Sequence, residues 1–252
     1  MSTENSSSAP DSPSPRAETS HDIAPQYVLP LLVHIEKAAP PARTDALETA
    51  ARAVLTLLSD ERSLGEGETE GEWARAVRDW QDTQIRKVVR RARGAEWRRA
   101  TALPGLTVTG TGPATDTAST AEVRVFPPVP LDGWPKELAK LQVSGTDLDD
   151  PAPPPPPAPG VPVLWLSPGL EMSAGKAMAQ AGHGAQLAWW ELGEADRASW
   201  RAAGFPLAVR TAGPARWREL VSGGLPVVRD AGFTEIAAGS ATVVSDHPSL
   251  RS

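Results

Sequence analysis

Apolar residues along this chain fall into short unbroken runs and longer stretches of helical spacing, and the two kinds alternate. The run at 161–166 is bounded by Pro and Gly, as a buried strand requires. Residues 174–190 are Ala-rich with helical spacing, and Ser173 stands where an N-cap is useful. Residues 194–203 read as a second helix, 205–210 as a strand, and 214–222 as a third helix with Pro in its first turn. Runs at 225–229 and 241–245 complete a set of four strands. The chain before residue 144 repeats the order: strand 27–35, helices 44–58 and 73–86, a short strand at Val88 and Val89, helix 95–102, then strands 106–109 and 122–126.

The repetition reaches individual residues. A shift of 120 aligns Trp80 to Gly112 with Trp200 to Gly232 without a gap, and nine of the 33 pairs are identical, including Trp80/Trp200, Val89/Val209, Arg90/Arg210 and Trp97/Trp217. The expected fold is therefore α/β, two similar small units descended from one duplicated sequence. The paired tryptophans read as shared core positions rather than as platforms for stacking bases.

Composition limits how much of the chain folds. Residues 1–24 are mostly Ser, Pro, Ala and acids, too poor in apolar side chains to offset their ordering entropy, so a disordered tail is expected. Asp147, Asp149 and Asp150 run into seven prolines between Pro151 and Pro159, which makes 144–160 a semi-extended linker between units at 25–143 and 161–252. With no Cys, the chain has no disulfides, thiolate nucleophiles or thiolate zinc sites, and its four His are scattered. The sequence has no apolar run of membrane length and no signal-peptide pattern, which fits a reducing, cytoplasmic setting without membrane partners.

A net charge of −6 argues against a globally basic nucleic-acid binder. Locally the balance reverses: Arg86, Lys87, Arg90, Arg91, Arg93, Arg98 and Arg99 stand against Glu96 alone. Such a stretch either holds an RNA backbone, with Arg86, Lys87, Arg90 and Arg91 as its contacts, or forms a solvated face with internal ion pairs.

Two clusters carry candidate chemistry. Gly169 to Ala177 lead from a strand through a small-residue turn into a helix bearing Lys176. Five residues separate Gly169 from Gly175, and Ala177 follows the lysine, so this is not the P-loop of a nucleotide triphosphatase. Lys176, Gln180 and His183 share one helix face by their i, i+4, i+7 spacing. The second cluster, Asp230-Ala231-Gly232-Phe233-Thr234, follows the run at 225–229 directly.

Together these residues resemble the peptidyl-tRNA hydrolases of the archaeal and eukaryotic type. The shared pattern is Met172, Gly175, Lys176, Gln180 and His183, then Asp230, Ala231, Gly232 and Thr234, with Gly239 and Thr242 after them, covering about 161–248. Ser167 and Gly169 depart from it, standing where the family has Arg and Asp. Glu235 also differs, replacing the usual Gln.

The resemblance implies a four-stranded mixed sheet flanked by helices in each unit. It also implies hydrolysis of the ester between a peptide or aminoacyl group and tRNA, with no metal or cofactor. Lys176, Asp230, Thr234 and Gln180 are then the catalytic candidates, and His183 a substrate contact. At the shift of 120, Gly110 stands in place of Asp230 and Ala114 in place of Thr234, so the front unit is expected to be a copy without catalysis. The two units are expected to pack as an intramolecular pseudo-dimer. Two other classes remain open: a non-catalytic RNA- or protein-binding module on the same fold, and an adaptor working through the polyproline stretch.

Overall fold

The computed structural model of the chain describes residues 26–112, 118–232 and 236–251; the expected tail at 1–24 and both Ala114 and Thr234 lie outside the described residues. Two α/β units fill the described chain. In the first, β1 (Tyr27–His34) pairs in parallel with β2 (Lys87–Ala92) and antiparallel with β4 (Glu122–Val125), and β4 pairs antiparallel with β3 (Leu106–Thr109). In the second, β6 (Val163–Leu166) pairs in parallel with β7 (Ala208–Thr211) and antiparallel with β9 (Ala241–Asp246), which pairs antiparallel with β8 (Val227–Arg229). The strand orders β2-β1-β4-β3 and β7-β6-β9-β8 are the same order written twice, and both sheets are mixed. A two-residue β5 (Val129–Pro130) adds to the start of β1 in the first unit only.

The helices repeat as well. Helix α1 (Arg43–Ser59) corresponds to α5 (Ala174–Glu191), α2 (Ala74–Gln81) to α6 (Glu194–Ala202), and α3 (Gly94–Thr101) to α7 (Pro214–Ser222); the one-turn α4 (Lys136–Ala139) has no counterpart. One detail repeats at the shift of 120 with unusual fidelity. Trp80 Nε1 donates to the Arg86 carbonyl at 2.9 Å, and Trp200 Nε1 donates to the Pro206 carbonyl at 2.9 Å. Within each loop closed by that bond lies a residue with positive φ, Ile85 at 44° and Phe205 at 57°, and among the described residues these are the only two non-glycines there. A branched or aromatic residue in that region is disfavoured, so the buried indole bond holds a turn that the local sequence resists. The same turn explains why the strand expected at 205–210 starts only at Ala208.

The units share one hydrophobic core, which runs from Leu29, Leu31 and Val33 of β1 through α1 and α5 to Leu164 and Val243 of the second sheet. Helices α1 and α5 lie against each other as well as on their own sheets, which is why both are buried on almost every face and rich in Ala. At Gly182 a Cβ would come within 3.0 Å of Val54 Cγ2, tighter than side chains ordinarily pack, so glycine eases the close approach of the two helices. Each central helix also packs on the other unit's parallel edge strand, α5 on β2 and α1 on β7, so the two units lie against each other.

Residues 144–150 are more than a spacer. Thr146 Oγ1 accepts from Gly175 N at 2.9 Å at the start of α5, and Asp150 accepts from Thr44 N at 2.8 Å and Thr44 Oγ1 at 2.7 Å at the start of α1. This strap satisfies orphan amides at both central helix N-termini. No helix among the described residues is long and apolar enough to cross a membrane.

Candidate functional site

Lys176, Gln180 and Asp230 meet. Helix α5 begins at Ser173, whose side chain accepts from Lys176 N at 3.2 Å, so the lysine is fixed in the first turn and Gln180 lies one turn further on the same face. Strand β8 ends in a register shift after Val228, and Asp230 follows, its backbone tied to the other side of the loop by Asp230 N to Ser240 O and Gly239 N to Asp230 O. Gly232 has φ of +80°, and a Cβ there would lie 2.8 Å from the Ala238 Cβ, so this turn requires glycine.

Asp230 Oδ1 accepts from Lys176 Nζ and, at 2.8 Å, from Gln180 Nε2; Oδ2 accepts from Gly232 N at 2.9 Å. Gln180 is held in that orientation because its Oε1 accepts from the buried Thr242 hydroxyl at 2.6 Å. The lysine and aspartate side chains are 13% and 4% exposed, so the ion pair stands largely outside water, where it is electrostatically strong. Thr242 was legible as part of a motif but not as the group that orients Gln180. A hydroxyl directly before the two valines of β9 was the available signal.

The carboxylate opens on a cavity of about 740 Å³ between the units, a volume usual for a small-molecule site. One wall is the α5 face carrying Lys176, Ala179, Gln180, His183 and Leu187. The opposite wall comes from the front unit and the strap, with Ile85, Lys87, Val89 and residues 142–146.

The basic stretch does not form one outward surface, because β2 sends alternate side chains to opposite faces. Arg86 lines the cavity. Lys87, expected on an RNA-facing patch, is buried there instead: its Nζ lies 4.8 Å over the Trp80 ring, 2.5 Å from Gln186 Oε1 and 3.2 Å from His183 Nδ1. Arg90 bonds the Ala139 and Leu141 carbonyls and stacks 4.4 Å over Trp134, while Arg91 bonds Gln142 and the Ser144 carbonyl. These two arginines bind the following segment to β2, and Arg93, Arg98 and Arg99 are the exposed members. Trp80 and Trp97 are core, the latter stacked 4.7 Å from His34.

Burial pushes His183 well below the usual imidazole range, and the neighbouring Lys87 and Lys176 charges push it further. The unfolded chain, with His183 near about 6.5, therefore binds more protons than the native chain between that value and the lowered one. Native stability is expected to fall as pH drops from about 6.5 through that window, and the fall should be shallower in His183→Leu. Urea midpoints along a pH series check this; parallel profiles would show that His183 does not drive the acid lability.

The front unit's equivalent site is closed. Asp45 is the third residue of α1, as Lys176 is of α5, and Thr49 stands where Gln180 does. Asp45 turns its carboxylate onto backbone amides, accepting from Thr111 N and Gly112 N at 3.0 Å and from Ala121 N at 2.8 Å. A Cβ on Gly110 would lie 2.4 Å from Asp45 Oδ2, so no side chain fits where the second unit has Asp230. Asp45→Ala is expected to cost at least about 2 kcal/mol by orphaning these amides. Chemical denaturation checks this; an unchanged midpoint would show that the amides find other partners.

Comparison with known family models and with curated proteins gives no match for this chain.

Proposed function

We propose that the chain hydrolyses the ester joining a peptidyl or aminoacyl group to the 3′ end of tRNA. The observation that carries this reading is the convergence of Lys176 and Gln180 on Asp230 Oδ1 at the edge of an inter-unit cavity. Ester hydrolysis needs an oriented water, a base for its proton and positive charge where the tetrahedral oxyanion develops.

Asp230 is the base. Water held against its carboxylate adds to the ester carbonyl carbon and gives its proton to Asp230. The Lys176 ammonium faces the oxyanion, and collapse of the intermediate breaks the carbon–oxygen bond to the ribose. The leaving oxygen takes the proton back. Gln180, oriented by Thr242, keeps the carboxylate in register, and Thr234 joins the set by the family resemblance. The two units are copies of one ancestral domain, with Asp45 closing the site of the first. Such a reaction belongs with translation in the cytoplasm.

Labelled peptidyl-tRNA incubated with the purified full chain tests the reading. Release of free peptide by the wild type and its loss in Asp230→Ala and Lys176→Ala are expected. No release, or equal release by the variants, sinks the proposal. Asp230 already accepts from three donors, which favours one other reading, a site that binds RNA or protein without turnover. Binding of tRNA with no release of peptide would select it.

A further inference from the structure

The hydrolytic residues occupy one end of the cavity, and the other end has its own chemistry. His183 lies seven residues beyond Lys176 on α5, a rise of about 10 Å along the helix. With Lys87 as an ammonium, which only donates, His183 Nδ1 accepts in their contact and the ring proton is assigned to Nε2. Among the described residues His183 bonds only through Nδ1, and the ring lines the cavity. The far end thus presents an N–H donor backed by a buried ammonium.

The charge there is unbalanced. Among the described residues lining the cavity, Asp230 is the one carboxylate, and it is already paired with Lys176, which leaves it unavailable to Lys87. Lys87 is 7% exposed, and its Nζ contacts the Ile85 carbonyl, His183 Nδ1 and Gln186 Oε1 but no carboxylate among the described residues, so it offers the cavity charge rather than a free donor. Burial alone holds its ammonium well below the ordinary lysine value. A buried cation without a counter-charge is costly, and a bound oxyanion supplies what the protein omits.

Resting on the hydrolase reading above, we infer that Lys87 and His183 form an oxyanion subsite that holds the phosphate of the terminal nucleotide while its acylated ribose lies at Asp230. The front unit then contributes directly to the second unit's site. It supplies a binding cation through Lys87, at a position where the second unit has Leu207 at the shift of 120.

Calorimetric titration of the full chain with adenosine 5′-monophosphate, adenosine and N-acetyl-leucine tests this without turnover. The wild type is expected to bind the monophosphate about tenfold more tightly than adenosine, since hydrogen bonds to a charged group are the stronger kind. Lys87→Met should erase that preference and leave adenosine unaffected. His183→Leu, which keeps the lysine and removes the donor, should reduce it severalfold and carries the test if Lys87→Met does not fold. Equal affinity of the wild type for the monophosphate and adenosine, or a preference retained in both variants, overturns the subsite. Binding of N-acetyl-leucine in place of the monophosphate also overturns it, assigning the oxyanion to the carboxylate product. Phosphate preference without hydrolysis would defeat the hydrolase reading alone; hydrolysis without phosphate preference would defeat the subsite alone.

Discussion

Asp230→Asn is expected to lower kcat on peptidyl-tRNA by about 10²- to 10⁴-fold, the range by which a positioned general base accelerates proton transfer. The substitution keeps the side-chain shape, and the amide oxygen still accepts from Gln180 Nε2, which now donates to Asp230 Oδ1 at 2.8 Å. What disappears is the charge. The amide cannot take a proton from water, and Lys176 loses the partner that holds its ammonium in place. KM should move far less than kcat, because water activation is needed only on the way to the transition state. On the proposed mechanism Lys176→Met removes the cation that faces the oxyanion and should cost about 10²- to 10³-fold. The double variant should be little worse than Asp230→Asn, since the two groups act as one unit. Steady-state release of labelled peptide measures all three. A multiplicative loss would mean that Lys176 and Asp230 serve separate steps, and an active Asp230→Asn would remove the aspartate from the chemistry.

The repeated topology was legible because its signals are local. Apolar runs, the Ala-rich central helices and the paired tryptophans survive in the sequence, and the shift of 120 holds from Trp80 to Gly112. Lys176, Gln180 and Asp230 were legible through spacing and family resemblance, although only tertiary structure brings the end of β8 to the first turn of α5. Three features were hidden. The exchange of roles at Asp45 is hidden in the sequence because α1 and α5 align at a different shift from the elements after them. The strap at 144–150 reads as linker by composition, yet its Thr and Asp side chains cap two helices. Lys87 reads as one of seven basic residues, and nothing in that run distinguishes the buried one. Its environment is set by Trp80, His183 and Gln186, which come from elements far apart in the chain.

Trp80→Ala and Trp200→Ala are each expected to destabilise the chain by about 3–5 kcal/mol, the cost of truncating a buried aromatic side chain. Trp80 is fully buried and Trp200 is 4% exposed. Each loses a large packed surface and leaves the carbonyl of Arg86 or Pro206 without the indole donor that closed the turn. The positive φ of Ile85 or Phe205 then loses its restraint, so the turn can relax to an extended form and pull the following strand out of register.

The expected shape of the transition is as informative as its midpoint. Because α1 and α5 are packed into one continuous core, damage in either unit should lower the stability of both, and urea unfolding followed by tryptophan fluorescence and by circular dichroism should give one coincident transition. Two separated transitions in Trp200→Ala, with the first unit intact, would show instead that the units are independent domains in contact. Trp80→Ala carries one further consequence: its ring covers Lys87 at 4.8 Å, so losing it admits water to the buried ammonium and should weaken the monophosphate preference even where the fold persists.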